Sequence, residues 1–318
     1  MNRAAGCSYQ GGLPFDIPCP GQSESPNSVM VVVDPKTWKV LNWMELQENT
    51  GARLDAVQYK GKDYAYFSGT TAMYRYIWDG KNLTLDNSWG PVSPAKPGQT
   101  GLLAPVVAGD WVFTMTNCCP PSNVPLSVIA ISQANSSKIA RIDPIPLQPG
   151  QQSIMMSNTP VDPVNHMFYA SDGGAGKIAG IKYDPVTGNM SVVWTVNQTT
   201  QSWFSIIGSA DKRVLVASNI HPNTTISQMQ NAPPTTYTEQ IQWRDAATGK
   251  LLAASDYFQG MSLGAQPTPG FGGLVYDMTS GGHIMALQVL PATNSTTANA
   301  TSGASAIPTS NIKRSGAG

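Results

Sequence analysis

Residues 183–194 read YDPVTGNMSVVW, which predicts a strand, a tight turn and a second strand that closes on a tryptophan. Such a turn needs an aspartate that hydrogen-bonds nearby backbone and a glycine that takes a positive φ. The pattern recurs as VMVVVDPKTWKVLNW with Asp34, MYRYIWDGKNLTLDNSW with Asp79, EQIQWRDAATGKLLAASDYF with Asp245, and LSVIAISQANSSKIARI with Ser132 in the aspartate position. The chain therefore repeats one strand pair.

A second strand pair precedes each of these, as in SIIGSADKRVLVASN, so one unit is four antiparallel strands, A to D. The turn markers fall 45, 53, 52 and 61 residues apart, near the ~40–50 residues of a propeller blade. A single twisted sheet cannot bury both faces, whereas sheets arranged around an axis cover one another. The sequence therefore predicts an all-β chain, a β-propeller of four-stranded antiparallel blades.

The number of blades is left open by the strand count. We expect four full blades, a two-stranded remnant at 28–46 and three strands at 264–290. Pairing the chain ends in one blade gives five blades with a strand in excess, or six with further strands near the start. A fragment of a larger ring is the third alternative. The aromatic residues near the ends of the strand pairs, Trp43, Trp89 and Trp194, are expected to be buried against a neighbouring blade.

Two stretches carry a resemblance to a known superfamily. PTPGFGGLVYDMTSGGHIMAL, from Pro267, and HMFYASDGGAGKIAGIKYDPVTGN, from His166, are similar to the repeat of quinoprotein-type, or PQQ-repeat, β-propellers. The resemblance covers about residues 28–290 and implies the fold. It implies little chemistry, because the repeat is scaffold and no residue here matches the Ca²⁺ site or the aspartate base of the longer quinoprotein enzymes.

Composition limits the function classes. Charged residues make up 12% of the chain and the net charge is zero, so nothing indicates a nucleic-acid partner. No run of 18 apolar residues occurs, so no membrane-spanning segment is expected. We predict an irregular arm at 1–27, the propeller at 28–291 and a disordered Ser/Thr/Ala/Gly-rich tail at 292–318.

Seven Asn-x-Ser/Thr acceptors for N-glycosylation occur in the chain. They are Asn82, Asn135, Asn189, Asn197, Asn223, Asn294 and Asn299. Chance predicts about three in a chain of this composition. The excess favours a secreted or cell-surface glycoprotein.

Four cysteines in a secreted chain suggest disulfides. We predict a Cys7–Cys19 bridge within the arm. Cys118 and Cys119 then form a strained vicinal ring or stay free, or one or both join the arm to a blade. The resemblance adds that some quinoprotein alcohol dehydrogenases place such a ring against their cofactor.

The candidate site residues lie in loops and inner strands. His221 and His283 fall in B–C loops. Together with Asp172 they could form a metal site or an acid–base site. The alternative, which is the commoner outcome, is that they are solvent-exposed loop residues. Arg53 and Asp55 are expected on one side of an inner strand, which lines the central channel of a propeller. They either form an ion pair at the rim of this channel or contact a ligand there. His166 belongs to the opposite end of its blade.

We therefore predict a secreted or cell-surface binding module that recognises a protein, glycan or small-molecule ligand on its B–C and D–A loops. The ligand-face candidates include Cys118 and Cys119 as well as the histidines and charged residues above. The alternative is a propeller enzyme, either a lactonase-like metal hydrolase or a quinone-linked oxidoreductase. No sequence pattern identifies a cofactor or commits to a metal.

Overall fold

The computed structural model describes residues 29–48, 53–118, 121–155, 157–158, 160–200, 202–221, 237–260, 266–279 and 283–289. These residues contain 22 strands and two three-residue 3-10 turns, at Ala210–Lys212 and Phe271–Gly273. The predicted all-β class is confirmed. The predicted arm and the whole of the predicted tail lie outside the described residues, so these domain boundaries stay predictions.

The strands form six antiparallel sheets, which we number in chain order. Sheet 1 contains β1 (Val29–Val33) and β2 (Val40–Glu45). Sheet 2 contains β3 (Asp55–Tyr59), β4 (Lys62–Ser68), β5 (Met73–Trp78) and β6 (Leu83–Leu85). Sheet 3 contains β7 (Val106–Ala108), β8 (Trp111–Met115), β9 (Val128–Ser132) and β10 (Ile139–Ile142).

The later sheets continue this order. Sheet 4 contains β11 (Val161–Asp162), β12 (Met167–Asp172), β13 (Lys177–Tyr183) and β14 (Met190–Asn197). Sheet 5 contains β15 (Ser205–Ile207), β16 (Val214–Ile220), β17 (Thr238–Asp245), β18 (Leu251–Ala254) and β19 (Phe258–Gln259). Sheet 6 contains β20 (Thr268–Pro269), β21 (Leu274–Met278) and β22 (Ile284–Gln288). In sheet 5 both β18 and β19 pair with β17, as one interrupted outer strand.

The repeated turns have the predicted chemistry. Oδ1 of Asp34 accepts hydrogen bonds from two backbone N–H groups within its own turn, and Asp79 and Asp184 do the same. Backbone hydrogen bonds lower the pKa of all three carboxyls. Gly188, in the turn after β13, has the expected positive φ of 76°. In the degenerate copy the hydroxyl of Ser132 accepts from two N–H groups in the same way.

The described residues divide into two compact units. Those before residue 201, with Ala247–Gly249, form unit 1, and the later ones form unit 2. In unit 1 the inner strand β7 lies close to both β3 and β11, and among the outer strands β2 lies close to β6 and β10 lies close to β14. Sheets that meet first strand to first strand and last strand to last strand are arranged radially, as in a propeller.

Apolar contact between successive sheets forms the core of each unit. In unit 1, Phe113 and Phe168 join sheets 3 and 4, with ring centroids 5.6 Å apart. In unit 2, Trp243 of sheet 5 packs with Val275 and Leu287 of sheet 6. Within each unit, neighbouring sheets thus bury apolar faces against one another, which is the stabilising principle expected for blades.

The aromatic prediction holds for two of its three residues. Trp89 and Trp194 are buried, and Trp89 Nε1 donates to the carbonyl of Ser132 in the neighbouring sheet, at 2.9 Å. Trp43 is 56% exposed, so its predicted burial is wrong. The physical reason is that sheet 1 buries one face against sheet 2, whereas Trp43 lies on the other face, which the described residues leave uncovered.

A buried polar contact also joins sheets 2 and 3. Arg75 of β5 forms an ion pair with Asp86, with Nη2 and Oδ2 2.7 Å apart and both side chains buried. Its Nη1 donates to the carbonyl of Gln133, which follows β9, at 2.5 Å. The guanidinium lies 4.4 Å from the ring centroid of Tyr64. The pair and its hydrogen bond to sheet 3 fix the relative position of the two sheets.

One turn of sheet 4 is pressed against sheet 3. Trp111 Nε1 in β8 donates to the carbonyl of Pro185 at 2.9 Å. A Cβ built on Gly188 would lie 2.5 Å from the Trp111 ring. Because real Cβ contacts are essentially never this short, any other residue would require the ring to shift, so packing as well as φ favours glycine at this position.

Candidate functional site

The two ends of every sheet differ in their connections. A–B and C–D turns lie at one end, which we call the turn face, and B–C loops and connections between sheets lie at the other, the loop face. In unit 1 the loop face includes the described parts of 69–72, 116–127, 143–160 and 173–176. Because antiparallel strands alternate in direction, these segments reach the same end of their sheets.

Asp172 ends β12 beneath this face and is fully buried. Its Oδ1 accepts from the backbone N–H groups of Ile154, Gly174 and Ala175, at 3.2, 2.9 and 3.0 Å. Its Oδ2 accepts from the hydroxyl of Ser153 at 2.6 Å. Burial raises the pKa of Asp172, and the four hydrogen bonds oppose that rise. The carboxyl thus holds two loops together, and its ligand role stays a prediction.

Asn117 continues this network into sheet 3. Its Nδ2 donates to Ser153 Oγ and to the carbonyl of Val124, each at 2.8 Å. The backbone of Asn117 has φ +65°, in the left-handed region that asparagine tolerates better than most residues. The next residue, Cys118, is buried and its N–H donates to the carbonyl of Gly101 at 3.2 Å. One polar chain therefore links the loops of sheets 3 and 4.

The predicted disulfides involve three cysteines outside the described residues: Cys7, Cys19 and Cys119. Cys118 lies in the β8–β9 loop on the loop face, at the predicted position. Both pairings stay predictions.

Glu48 anchors a third loop. Its carboxylate accepts from Thr70 Oγ1 at 3.0 Å, from Thr71 N and Oγ1 at 2.8 and 2.7 Å, and from Tyr74 Oη at 2.6 Å. Partial burial favours a higher pKa, but the hydrogen bonds, led by that of Tyr74, lower the pKa of Glu48 below its usual value. Glu48 thus fixes the β4–β5 loop from the connection between sheets 1 and 2.

The histidines lie at the sheet ends where the sequence places them. His221 follows β16 on the loop face, with its ring edge-on to Tyr257 at 5.2 Å. His283 precedes β22 at the same end of sheet 6, is exposed, and its N–H donates to Thr279 Oγ1 at 3.3 Å. His166 lies in the β11–β12 turn. Within the part of the chain that the structure describes, no three His, Cys, Asp or Glu side chains are grouped to hold a metal ion.

Asp55 and Arg53 belong to the innermost strand of sheet 2 and its approach. Asp55 Oδ2 accepts from the backbone N–H of Val107 in β7 at 2.7 Å, so it joins the inner strands of sheets 2 and 3. Arg53 lies two residues before β3 and is exposed. Their predicted pairing and ligand role stay predictions.

The glycosylation acceptors are distributed unevenly. The four that the structure describes are all exposed: Asn82, Asn135, Asn189 and Asn197. The first three lie in C–D turns of successive sheets on the turn face, and the fourth ends β14 on the loop face. Asn223, Asn294 and Asn299 lie outside the described residues.

The loops next to the network carry little charge, and the exposed Asp143 beside them is paired with Lys96 and accepts from Ser127 Oγ at 2.6 Å. The described residues of 69–72, 116–127, 148–153 and 173–176 include no charged side chain. Their exposed polar groups are uncharged ones: Thr71, Asn123, Gln148 and Gln152. Such a surface suits hydrogen bonding and close apposition rather than long-range electrostatic attraction.

Unit 2 contains a buried carboxyl that the sequence did not single out. Asp277 of β21 is 4% exposed, and in the described part of the chain no donor reaches its Oδ2. Burial raises the pKa of Asp277 to about 6, against a hydrogen bond from the N–H of Met278. The sequence did contain a signal, since an aspartate interrupts the apolar strand LVYDM. The face of the sheet on which Asp277 lies could be assigned only once the strand register was known.

Radially arranged four-stranded antiparallel sheets define this protein as a β-propeller, as the repeats predicted. No helix among the described residues has the length and apolar character that crossing a membrane requires. The blade number and the closure of the ring stay predictions.

No family model and no curated protein sequence matches the chain. Many solved structures do resemble it. BamB from Moraxella catarrhalis is 13% identical over 83% of this chain and 72% of that one, with a TM-score of 0.44. The β-propeller domain of Cps50 from Myceliophteria thermophila is 10% identical over 82% and 78%, with a TM-score of 0.48.

A quinohemoprotein alcohol dehydrogenase from Pseudomonas putida HK5 is also similar, as the resemblance to quinoprotein repeats led us to expect. It is 13% identical over 77% of this chain, with a TM-score of 0.45, and the match spans only 43% of that enzyme. At these identities the likeness concerns the fold alone.

Proposed function

We propose that this chain is a secreted or cell-surface binding module that recognises a neutral protein, glycan or small-molecule ligand on its loop face. The observation that carries the proposal is the chain of hydrogen bonds Asn117–Ser153–Asp172, which fixes loops from two sheets before any partner arrives. A surface fixed in advance loses less conformational entropy on binding. Propellers offer such loops on a rigid scaffold.

The chemistry of the network favours binding over catalysis at this place. The Ser153 hydroxyl is fully buried and is committed to Asp172 and Asn117, so it is not presented to a substrate. Both oxygens of Asp172 accept hydrogen bonds from its own loops. These groups hold the surface in shape, and the exposed amides and hydroxyls around them would make the contacts.

Native mass spectrometry on protein from its natural host tests the class of function. We expect the polypeptide mass plus N-glycans, with sugars on the exposed acceptors Asn82, Asn135 and Asn189. A stoichiometric quinone or divalent metal would overturn the binding-module proposal in favour of an enzyme.

A matched pair of variants tests the face. Asn123→Arg adds bulk and charge to the loop face, whereas Ala134→Arg adds the same group to an exposed turn on the turn face. Each variant is labelled with a fluorescent dye, and its binding to the surface of cells of the source organism is measured. We expect Asn123→Arg to weaken this binding about tenfold or more. Ala134→Arg should leave binding unchanged, and the reverse order would move the binding face to the turns.

A further inference from the structure

The outer strand of sheet 4 presents a long edge. This strand, β14 (Met190–Asn197), has eight residues, whereas the outer strands of sheets 2 and 3 have three and four. Among the described residues β14 pairs with β13 alone. A strand at the edge of a sheet leaves every second N–H and C=O group without a ladder partner, so another chain can pair with it. The length of β14 gives it more of these groups than the outer strands of sheets 2 and 3 have.

The side chains of β14 add apolar surface at this edge. The pairing with β13 skips Val193, which bulges between the partners of Gly180 and Ile181. Val192 and Val193 are 40% and 52% exposed, one directly after the other. The strand sequence MSVVWTVN contains no charged residue. An outer strand that is exposed, rich in β-branched residues and uncharged is prone to pair edge to edge with another chain.

The position just before the outer strand differs between the sheets. In sheets 1 to 5 its carbonyl accepts from the N–H of the first residue of the repeated turn, so the five positions are equivalent. Sheets 1, 3 and 5 have a lysine there: Lys39, Lys138 and Lys250. Lysine is a residue that natural sheets use to protect their edges from pairing. Sheets 2 and 4 have Asn82 and Asn189 instead, and both are acceptors for N-glycosylation.

The edge of β14 has an acceptor at each end. Asn189 directly precedes the strand and Asn197 is its last residue, and both are exposed. At the ~3.3 Å per residue of a strand, the two lie about 26 Å apart. Ser191, whose hydroxyl completes the acceptor of Asn189, is exposed as well. A sugar on either asparagine therefore extends into solvent without displacing packed side chains.

We propose that Asn189 and Asn197 are N-glycosylated and that the two glycans protect the edge of β14 from pairing with other chains. In the modification, the side-chain Nδ2 exchanges one hydrogen for a bond to C1 of an oligosaccharide. The donor is a lipid-linked oligosaccharyl diphosphate, and the lipid diphosphate leaves with the displaced proton. N-glycans are bulky and solubilising, so they give this uncharged edge the protection that lysine gives elsewhere. The proposal needs the secretory route proposed above, but not the binding role of the loop face.

Secretion of the full chain from a eukaryotic host that N-glycosylates tests both the sites and their role. Peptide mapping by mass spectrometry should find sugar on Asn189 and on Asn197. The double variant Asn189→Gln/Asn197→Gln loses both, and its monomer should disappear into aggregates about tenfold faster, measured by size-exclusion chromatography with light scattering. The matched control Asn82→Gln/Asn135→Gln loses two sugars beside the short outer strands and should stay within about twofold of the unaltered rate.

A single added charge separates edge protection from general solubility. In the Asn189→Gln/Asn197→Gln background, Val193→Lys places a lysine in the middle of the edge and should restore the unaltered rate to within about twofold. Val164→Lys adds the same charge at another exposed valine of sheet 4, in the β11–β12 turn, and should not restore it. Circular dichroism should show the same all-β spectrum for every variant, which excludes a failure to fold.

Three results would overturn the proposal. They are an empty acceptor at either end of β14, equal aggregation of the two double variants, and rescue by Val164→Lys as complete as by Val193→Lys. The loop-face function is tested separately by Asn123→Arg, so either proposal can fail without the other.

Discussion

The buried carboxyl of Asp277 gives the sharpest stability prediction. Its pKa is about 6 in the folded chain, against a reference value of 3.8. A raised folded pKa means that the folded state favours the proton, so stability is full below the unfolded pKa and is lost as pH rises through the folded one. At about 1.4 kcal/mol per pKa unit, the raised pKa of Asp277 lowers the stability by about 3 kcal/mol at pH 7.5 and by about 1 kcal/mol at pH 4.5, relative to low pH.

Asp277→Asn removes this cost while keeping the shape of the side chain. The variant should therefore gain about 2 kcal/mol more at pH 7.5 than at pH 4.5, measured as the free energy of unfolding in urea at both pH values. Asp256→Asn, at an exposed aspartate of the same unit, is the matched control and should gain nothing at either pH. An equal effect of Asp277→Asn at both pH values would refute the reasoning, because only a titrating group produces the difference.

Two contrasts between matched pairs test the packing of unit 1. Gly188→Ala should destabilise by about 1–3 kcal/mol more than Gly80→Ala in urea unfolding, since both glycines have positive φ but only Gly188 would press its new methyl into a neighbouring ring. Equal losses would show that the ring moves aside. Asp86→Ala leaves the buried cation of Arg75 unpaired and should cost about 3–5 kcal/mol, whereas Lys96→Ala breaks a half-exposed pair and should cost under about 1 kcal/mol. A comparable cost for the two would contradict the assigned role of burial.

The features that the sequence predicted are those decided within a few residues. The Asp79 and Asp184 turns repeat because each aspartate carboxylate accepts a hydrogen bond from the backbone N–H two residues later. This bond forms within the turn and does not depend on the rest of the fold. The strand order follows from the same repeats, including the four complete sheets and the incomplete ones at either end. The structure of such a turn can therefore be predicted without knowing which residues pack against it.

The features that escaped prediction depend on contacts distant in sequence. Glu48 and Thr71 are 23 residues apart, and Ser153 and Asn117 are 36 apart. No pattern in the chain marks them as partners, because the stacking of sheets brings them together. The exposure of Trp43 was missed for the same reason, since its burial depends on a second surface rather than on its own strand.

The capped aspartates also decide how the protein responds to acid. The pKa values of Asp34, Asp79 and Asp184 are lowered, so the stabilisation that their charge gives is present above the unfolded pKa and is lost as the pH falls through the lower folded pKa. Asp277 gains its proton far earlier, near pH 6, and that protonation relieves a buried charge. Mild acidification thus removes a penalty before it weakens any of these turns. At these four carboxyls, a mildly acidic medium is therefore less destabilising than an alkaline one.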